Sequence, residues 1–207
     1  MKYVFVLNAI AILVFISHKL SAQPEKFDKR LETSLYIDVH HLKGRKIMAK
    51  DVAEGHKKLL AVQHKYGVTF LKYWFDEKNG DLYCLVSCND PEEIKKAHKE
   101  ADGFVPEDFY KVTSGEEAIL KGKNNLYLDV HQLGEGKVTA SDVAGAHQKD
   151  LAIQKKYGVN LINYWVDEKK GTVMCLAQAP DSTALINTHK DAHGLVPDRV
   201  SKVVQGQ

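Results

Sequence analysis

Three histidines of this chain occur twice. His40, His56 and His98 are matched by His131, His147 and His189, each pair 91 residues apart. Imidazole is the commonest side-chain ligand for late first-row divalent ions. Asp38 and His40 stand two apart, as do Asp129 and His131. Along a strand that spacing puts both side chains on one face, where an oxygen and a nitrogen can converge on one ion. A simple His–Asp hydrogen bond at a packed interface fits the same spacing. His56 shares a helical stripe with Leu60 and Gln63, and His147 shares one with Leu151 and Gln154. Each of these histidines reads either as a ligand or as a boundary residue beside an apolar stripe. His189 and His193 are four apart, so both imidazoles lie on one helical face. That pair suits two-point capture of zinc, nickel or copper, or else is a solvated pair near a helix end. The first copy has His98 and Asp102 at the same places. His41 and His64 are matched by Gln132 and Lys155 and read as surface residues.

Other chemistry-bearing residues carry weaker signals. Cys84 and Cys175 fall at matching places within strand patterns and read as small buried hydrophobes before thiolate ligands. Cys88 has Ala179 as its counterpart, so it has no duplicated role. A Cys84–Cys88 disulfide is disfavoured, since side chains four apart on one strand are about 13 Å from each other. Tyr73-Trp74 recurs as Tyr164-Trp165. Neighbouring strand residues face opposite ways, so one aromatic of each pair packs under helices and the other lies on the open sheet face with the Asp/His strand. No Gly-rich phosphate loop, Gly-x-Ser-x-Gly or His-Glu-x-x-His occurs in the chain.

The elements that position these residues are legible because they too are duplicated. Leu35–His40 returns as Leu126–His131, Lys65–Val68 as Lys156–Val159, and Asp76–Lys78 as Asp167–Lys169. Each copy reads strand–helix–strand–strand–helix–strand. Residues 35–42 alternate like a strand. Residues 49–66 suit a helix that stops at Gly67. Residues 68–75 and 81–87 form a hairpin around Lys78-Asn79-Gly80. Asp90 caps a second helix with Pro91 at its first position, and a last strand follows around residues 109–113. The order βαββαβ defines an α+β, ferredoxin-like fold with both helices on one face of an antiparallel sheet. The expected organisation is domain 1 over 35–113, a linker over 114–125 and domain 2 over 126–204. The bare sheet faces need cover, so the two domains are expected to pack as an intrachain pseudo-dimer. The apolar pairs Ile37/Val39 and Leu128/Val130 are expected to face the helices. Asp38/His40 and Asp129/His131 would then face the domain interface.

Residues 1–22 resemble a secretory signal. Lys2 precedes an apolar run over Tyr3–Ile16 that is too short for a bilayer span, which needs about 20 residues. Ser21 and Ala22 offer a cleavage site, and residues 23–34 form a polar leader. The expectation is an exported protein, periplasmic or secreted, with no stable membrane span after cleavage. The 29 Lys+Arg against 27 Asp+Glu give a net charge of +2, and removing Lys2 and Lys19 with the signal balances the chain. A balanced chain excludes a strongly basic nucleic-acid binder.

The second copy carries a recognisable set of motifs. Leu126–His131, Ala146-His147, Tyr157-Gly158, Gly171–Cys175, Ala179–Asp181, and His189 with Ala192-His193-Gly194 resemble a family of small bacterial nickel-binding proteins, classed as a domain of unknown function. The resemblance covers most of both copies. It implies a single ferredoxin-like domain that dimerises, metal held at the dimer surface, and a role in nickel sequestration. This chain then looks like a fused dimer of such domains. The motif histidines carried over are His131, His147, His189 and His193, and in the first copy His40, His56 and His98, with Asp102 in the fourth place. The leading expectation is a non-enzymatic protein that buffers Ni2+, or Zn2+ or Cu2+, with further self-association left open. The alternative is a small-molecule enzyme with its site between the two sheets, using Asp129/His131 and Asp38/His40 as acid–base groups. A plain interaction module without ligand is the third reading.

Overall fold

The computed structural model describes residues 33–207; the expected signal, residues 1–22, and most of the leader lie outside the described residues. The first repeat runs β1 (Ser34–His41), α1 (Ala49–Val62), β2 (Thr69–Asp76), β3 (Asp81–Cys88), α2 (Pro91–Ala101) and β4 (Asp108–Ser114). The second runs β5 (Asn125–Gln132), α3 (Ala140–Ile153), β6 (Asn160–Asp167), β7 (Thr172–Ala179), α4 (Ser182–His193) and β8 (Arg199–Gly206). This is the ferredoxin-like βαββαβ order, twice. Local sequence explains the ends. The Asp90 carboxylate accepts from the Glu92 amide while Pro91 opens α2, and Thr139 and Asp142 cap α3 reciprocally. Each first helix tightens into one 3-10 turn and stops at a glycine in the left-handed region, Gly67 (φ 62°) or Gly158 (φ 66°).

The two sheets close into one eight-stranded barrel in the order β1-β3-β2-β8-β5-β7-β6-β4, with β4 returning to β1. All ladders are antiparallel. The last strand of each repeat joins the halves: β4 reaches β6 through Thr113 and Ser114, and β8 reaches β2 opposite Tyr73, Trp74 and Phe75. The fused pseudo-dimer is therefore held by backbone hydrogen bonds on both seams as well as by side-chain packing. Among the described residues no helix is long and apolar enough to cross a membrane.

The barrel interior corrects one expectation. Ile37, Val39, Trp74, Leu85, Leu128, Val130, Trp165 and Met174 form a dry cluster between the sheets, where the two indoles lie 4.7 Å apart. The opposite faces, with Tyr36, Tyr73 and Cys84, lie under the helices, and Asp38 and His40 point there too. The apolar pairs do not face the helices. Closing the sheets buries both faces of β1, β3, β5 and β7, so alternation there separates two buried faces and does not tell which one meets helices. The interior between sheets takes the more apolar set, with both tryptophans. The tyrosine of each Tyr-Trp pair, not the tryptophan, shares the Asp/His face.

Candidate metal centres

Each repeat gathers four ligand-capable side chains under its helices. In the first, Asp38 and His40 project from β1, and Cys84 from the directly opposed position of β3. His98 descends from α2. The second repeats the set with Asp129, His131, Cys175 and His189. Within each group the ligand atoms all lie within 4.8 Å of one another, and every residue is buried.

The first group is short of hydrogen bonds. His40 Nε2 is 3.2 Å from Asp38 Oδ1, and His98 Nε2 is 3.6 Å from Asp38 Oδ2. Neither contact is aligned as a hydrogen bond. Both Asp38 oxygens, His40 Nε2 and both His98 nitrogens have no hydrogen-bond partner among the described residues. An unsatisfied buried polar group costs about 1–3 kcal/mol. Several such groups converging on one point fit a cation, which satisfies all their lone pairs at once. Burial opposes ionisation of Asp38, but the close approach of His40 and His98 and their charge outweigh it and hold the carboxyl at about 2. Asp129 is held at about 2 in the same way by His131 and His189. Burial, with the nearby carboxylate, pushes the Cys84 and Cys175 thiols well up. All three cysteines are free thiols, as the Cys84–Cys88 spacing predicts.

The second group is better satisfied, and a residue the sequence reading did not single out does it. Asp150 of α3 is 3 % exposed. It contacts His189 Nδ1 at 3.1 Å, while Asp129 faces His189 Nε2 at 3.3 Å. Burial disfavours the imidazolium, but the hydrogen bonds to Asp129 and Asp150 and their charge raise it to about 10. His193 Nδ1 accepts the Leu195 N–H, so its Nε2–H donates to Asp150 Oδ2 at 3.3 Å. Asp150, His189 and His193 form a second, overlapping ligand-capable group. A carboxylate that orients the rear nitrogen of a ligating histidine is a recurrent support of metal sites. The signal for Asp150 was present in the repeat: its counterpart is Leu59, and an acid where the twin has a buried leucine marks a special position.

The remaining predicted residues lie beside these groups. His56 and His147 sit against Tyr73 and Tyr164, each with ring centroids 4.9 Å apart, and outside the four-residue sets. Burial, and secondarily the neighbouring histidine in the case of His56, lowers the pKa of both. Asp102 accepts the Phe104 amide at 2.9 Å and lines the pocket outside His98, without joining the group. Asp38/His40 and Asp129/His131 do not lie between the sheets as the enzyme alternative requires. The space there is filled by apolar side chains.

Fold and site define a class: a fused dimeric α+β barrel with buried carboxylate–imidazole–thiol groups suited to a metal ion. The profile of the family described as nickel responsive protein SCO4226-like matches residues 36–112 and again 127–203. The chain belongs to this family. Among solved structures it is similar to SCO4226 from Streptomyces coelicolor A3(2), at 32% identity over 37% of this chain and 93% of that one, with a TM-score of 0.35. It is also similar to chlorite dismutase from Candidatus Nitrospira defluvii, at 6% identity over 84% of this chain and 90% of that one, with a TM-score of 0.49. No curated protein matches the chain.

Proposed function

We propose that this is an exported protein that sequesters or buffers nickel, or a similar late first-row divalent ion such as zinc or copper. One ion would be held per repeat: by Asp38, His40, Cys84 and His98 in the first, and by Asp129, His131, Cys175 and His189 in the second. The observation that carries this reading is the convergence of unpartnered buried ligand atoms around Asp38; homologous residues converge in the same way around Asp129, where one carboxylate oxygen is left unpartnered. Family membership supports the same ion class.

The chemistry follows from the protonation states. Imidazole binds as the neutral base and cysteine as the thiolate, so uptake releases protons and weakens as pH falls, in the second repeat already below the raised His189 value of about 10. The ionised carboxylate at the centre of each group favours a divalent cation. Calorimetric titration of the purified protein with nickel, zinc, copper and cobalt at pH 7.5 tests the reading. Nickel binding at micromolar affinity or tighter, lost at pH 5 and lost stepwise in His98→Ala and His189→Ala, is the expected outcome. Absence of binding to all four ions would refute it. For export, mass analysis of the protein recovered outside the cytoplasm should show the chain without residues 1–22. An intact cytoplasmic chain would refute that part.

A further inference from the structure

The two repeats share a scaffold but not a cavity. Outside the first group, between α1, α2 and the sheet, lies a cavity of about 370 Å³. The matching space in the second repeat is about 90 Å³. Three of the exchanges between the two linings bear on the space directly. Gly55, Leu59 and Asp102 of the first repeat stand where the second has Ala146, Asp150 and His193. In the second repeat Asp150 and His193 pair across the space. In the first, no such bridge crosses it.

A bare ion needs none of this volume, whereas about 300–1,000 Å³ is the ordinary size of a small-molecule pocket. The walls are apolar: Leu42, Ile47, Leu59, Leu82 and Phe104 line the cavity. Its polar inner end holds His56 beside His40, Cys84 and His98 of the first group; His56 is 5 % exposed and has no partner on either ring nitrogen among the described residues. His56 lies outside the four-residue group, so metal binding does not account for it. The charged lining residues are Asp51, Glu54 and Asp102 against one Lys58. A surplus of acids disfavours an anion.

From this cavity and its unpartnered imidazole we infer that the first repeat binds a small uncharged organic molecule with a planar or alicyclic apolar body and one hydroxyl or carbonyl, hydrogen-bonded by His56. The second repeat does not, because Asp150 and His193 close the same space. The inference does not require the metal reading and is tested apart from it.

The probe is 2-naphthol, titrated by its fluorescence against the full protein, once with chelator and once with nickel. Saturable binding of one molecule per chain is expected, with a dissociation constant of roughly 0.1 mM or tighter. The anion 2-naphthoate should bind at least about tenfold more weakly, and His56→Ala should cost about tenfold, the worth of one hydrogen bond. Gly55→Leu, which pushes a side chain into the cavity from α1, should abolish binding. If that variant fails to fold by circular dichroism, Leu59→Phe serves the same purpose. No saturable binding, or equal binding in His56→Ala and the cavity-filling variant, overturns the inference. Naphthalene binding as tightly as 2-naphthol overturns the role of His56. Naphthol binding without nickel binding leaves this inference standing and removes the metal reading; the reverse removes only this one.

Discussion

The two halves of the barrel have the same strands, the same ligand types and the same register, yet one site is open and underbonded while the other is closed and charged. Asp38 and Asp129 each face two imidazoles. Only His189 has a second carboxylate behind it, because α3 carries Asp150 where α1 carries Leu59. One helical position therefore decides whether the inner histidine has a carboxylate at its rear nitrogen. Duplication within a chain allows this: the barrel needs both copies for its fold, but each pocket tolerates its own substitutions.

The comparison is broken most severely by removing the inner histidine on the bonded side. His189→Ala leaves Asp129 and Asp150 buried and facing each other. The expected loss in the metal-free protein is about 3–5 kcal/mol, read by denaturant unfolding. His98→Ala leaves only Asp38, still beside His40, and should cost about half as much. Equal losses would show that Asp150 adds nothing to the second site.

Next in size is the pH dependence of stability without metal. The folded pKa of His189, raised to about 10, lies above its unfolded value near 6.5. Its contribution is fully present below about 6.5 and is lost as pH rises through 10. The folded Asp38 and Asp129, held at about 2, contribute stability above about 4 that fades as pH falls through 2. His56, His147 and His193, lowered by burial, are stabilising only when neutral, so stability also falls as pH drops below about 6.5. The alkaline decline should shrink in Asp150→Leu, with Asp129 retaining its share, while the acid decline persists. Unfolding midpoints from pH 3 to 10 check both arms.

A finer test exchanges the pockets. Leu59→Asp with Asp102→His should close the first cavity and move the His98 imidazole proton resonances toward those of His189. The converse pair, Asp150→Leu with His193→Asp, should lower the pKa of His189. Unchanged resonances in both would show that these positions do not set the difference.

The smallest expected effect is at the helix wall. A methyl group on Gly55 would lie 3.3 Å from Asp102 Oδ2, a partly exposed side chain that can yield. Gly55→Ala should stabilise by about 0.5 kcal/mol, since glycine inside a helix costs about 1 kcal/mol against alanine. Ala146→Gly should destabilise by about 1 kcal/mol. Chemical unfolding of the two variants reads both signs.

Much of this architecture was legible in the chain. The 91-residue offset announces the duplication, and the turn residues Gly67, Asp90 and Pro91 mark the element ends. The pairing of Asp38 with His40 on one strand face is a matter of period alone. Cys84 carries no local mark of a ligand, because a cysteine in a strand looks the same whether it packs or ligates. Only the β1–β3 register places it opposite Asp38. Nothing local marks Asp150 either, since a buried acid and a solvated one look alike on an amphipathic helix.

By itself the sequence determined the repeat, the order of elements, and which residues share a strand or helix face, since these follow from local dihedral preferences and periodicity. Tertiary structure alone decided which face meets the helices and which meets the other sheet, because closure of the barrel buries both. It also decided that the inner histidines His98 and His189 reach the carboxylates of β1 and β5, and that Asp150 reaches His189. Those contacts join residues about 40–60 positions apart, at distances set by the packing of helices on a twisted sheet.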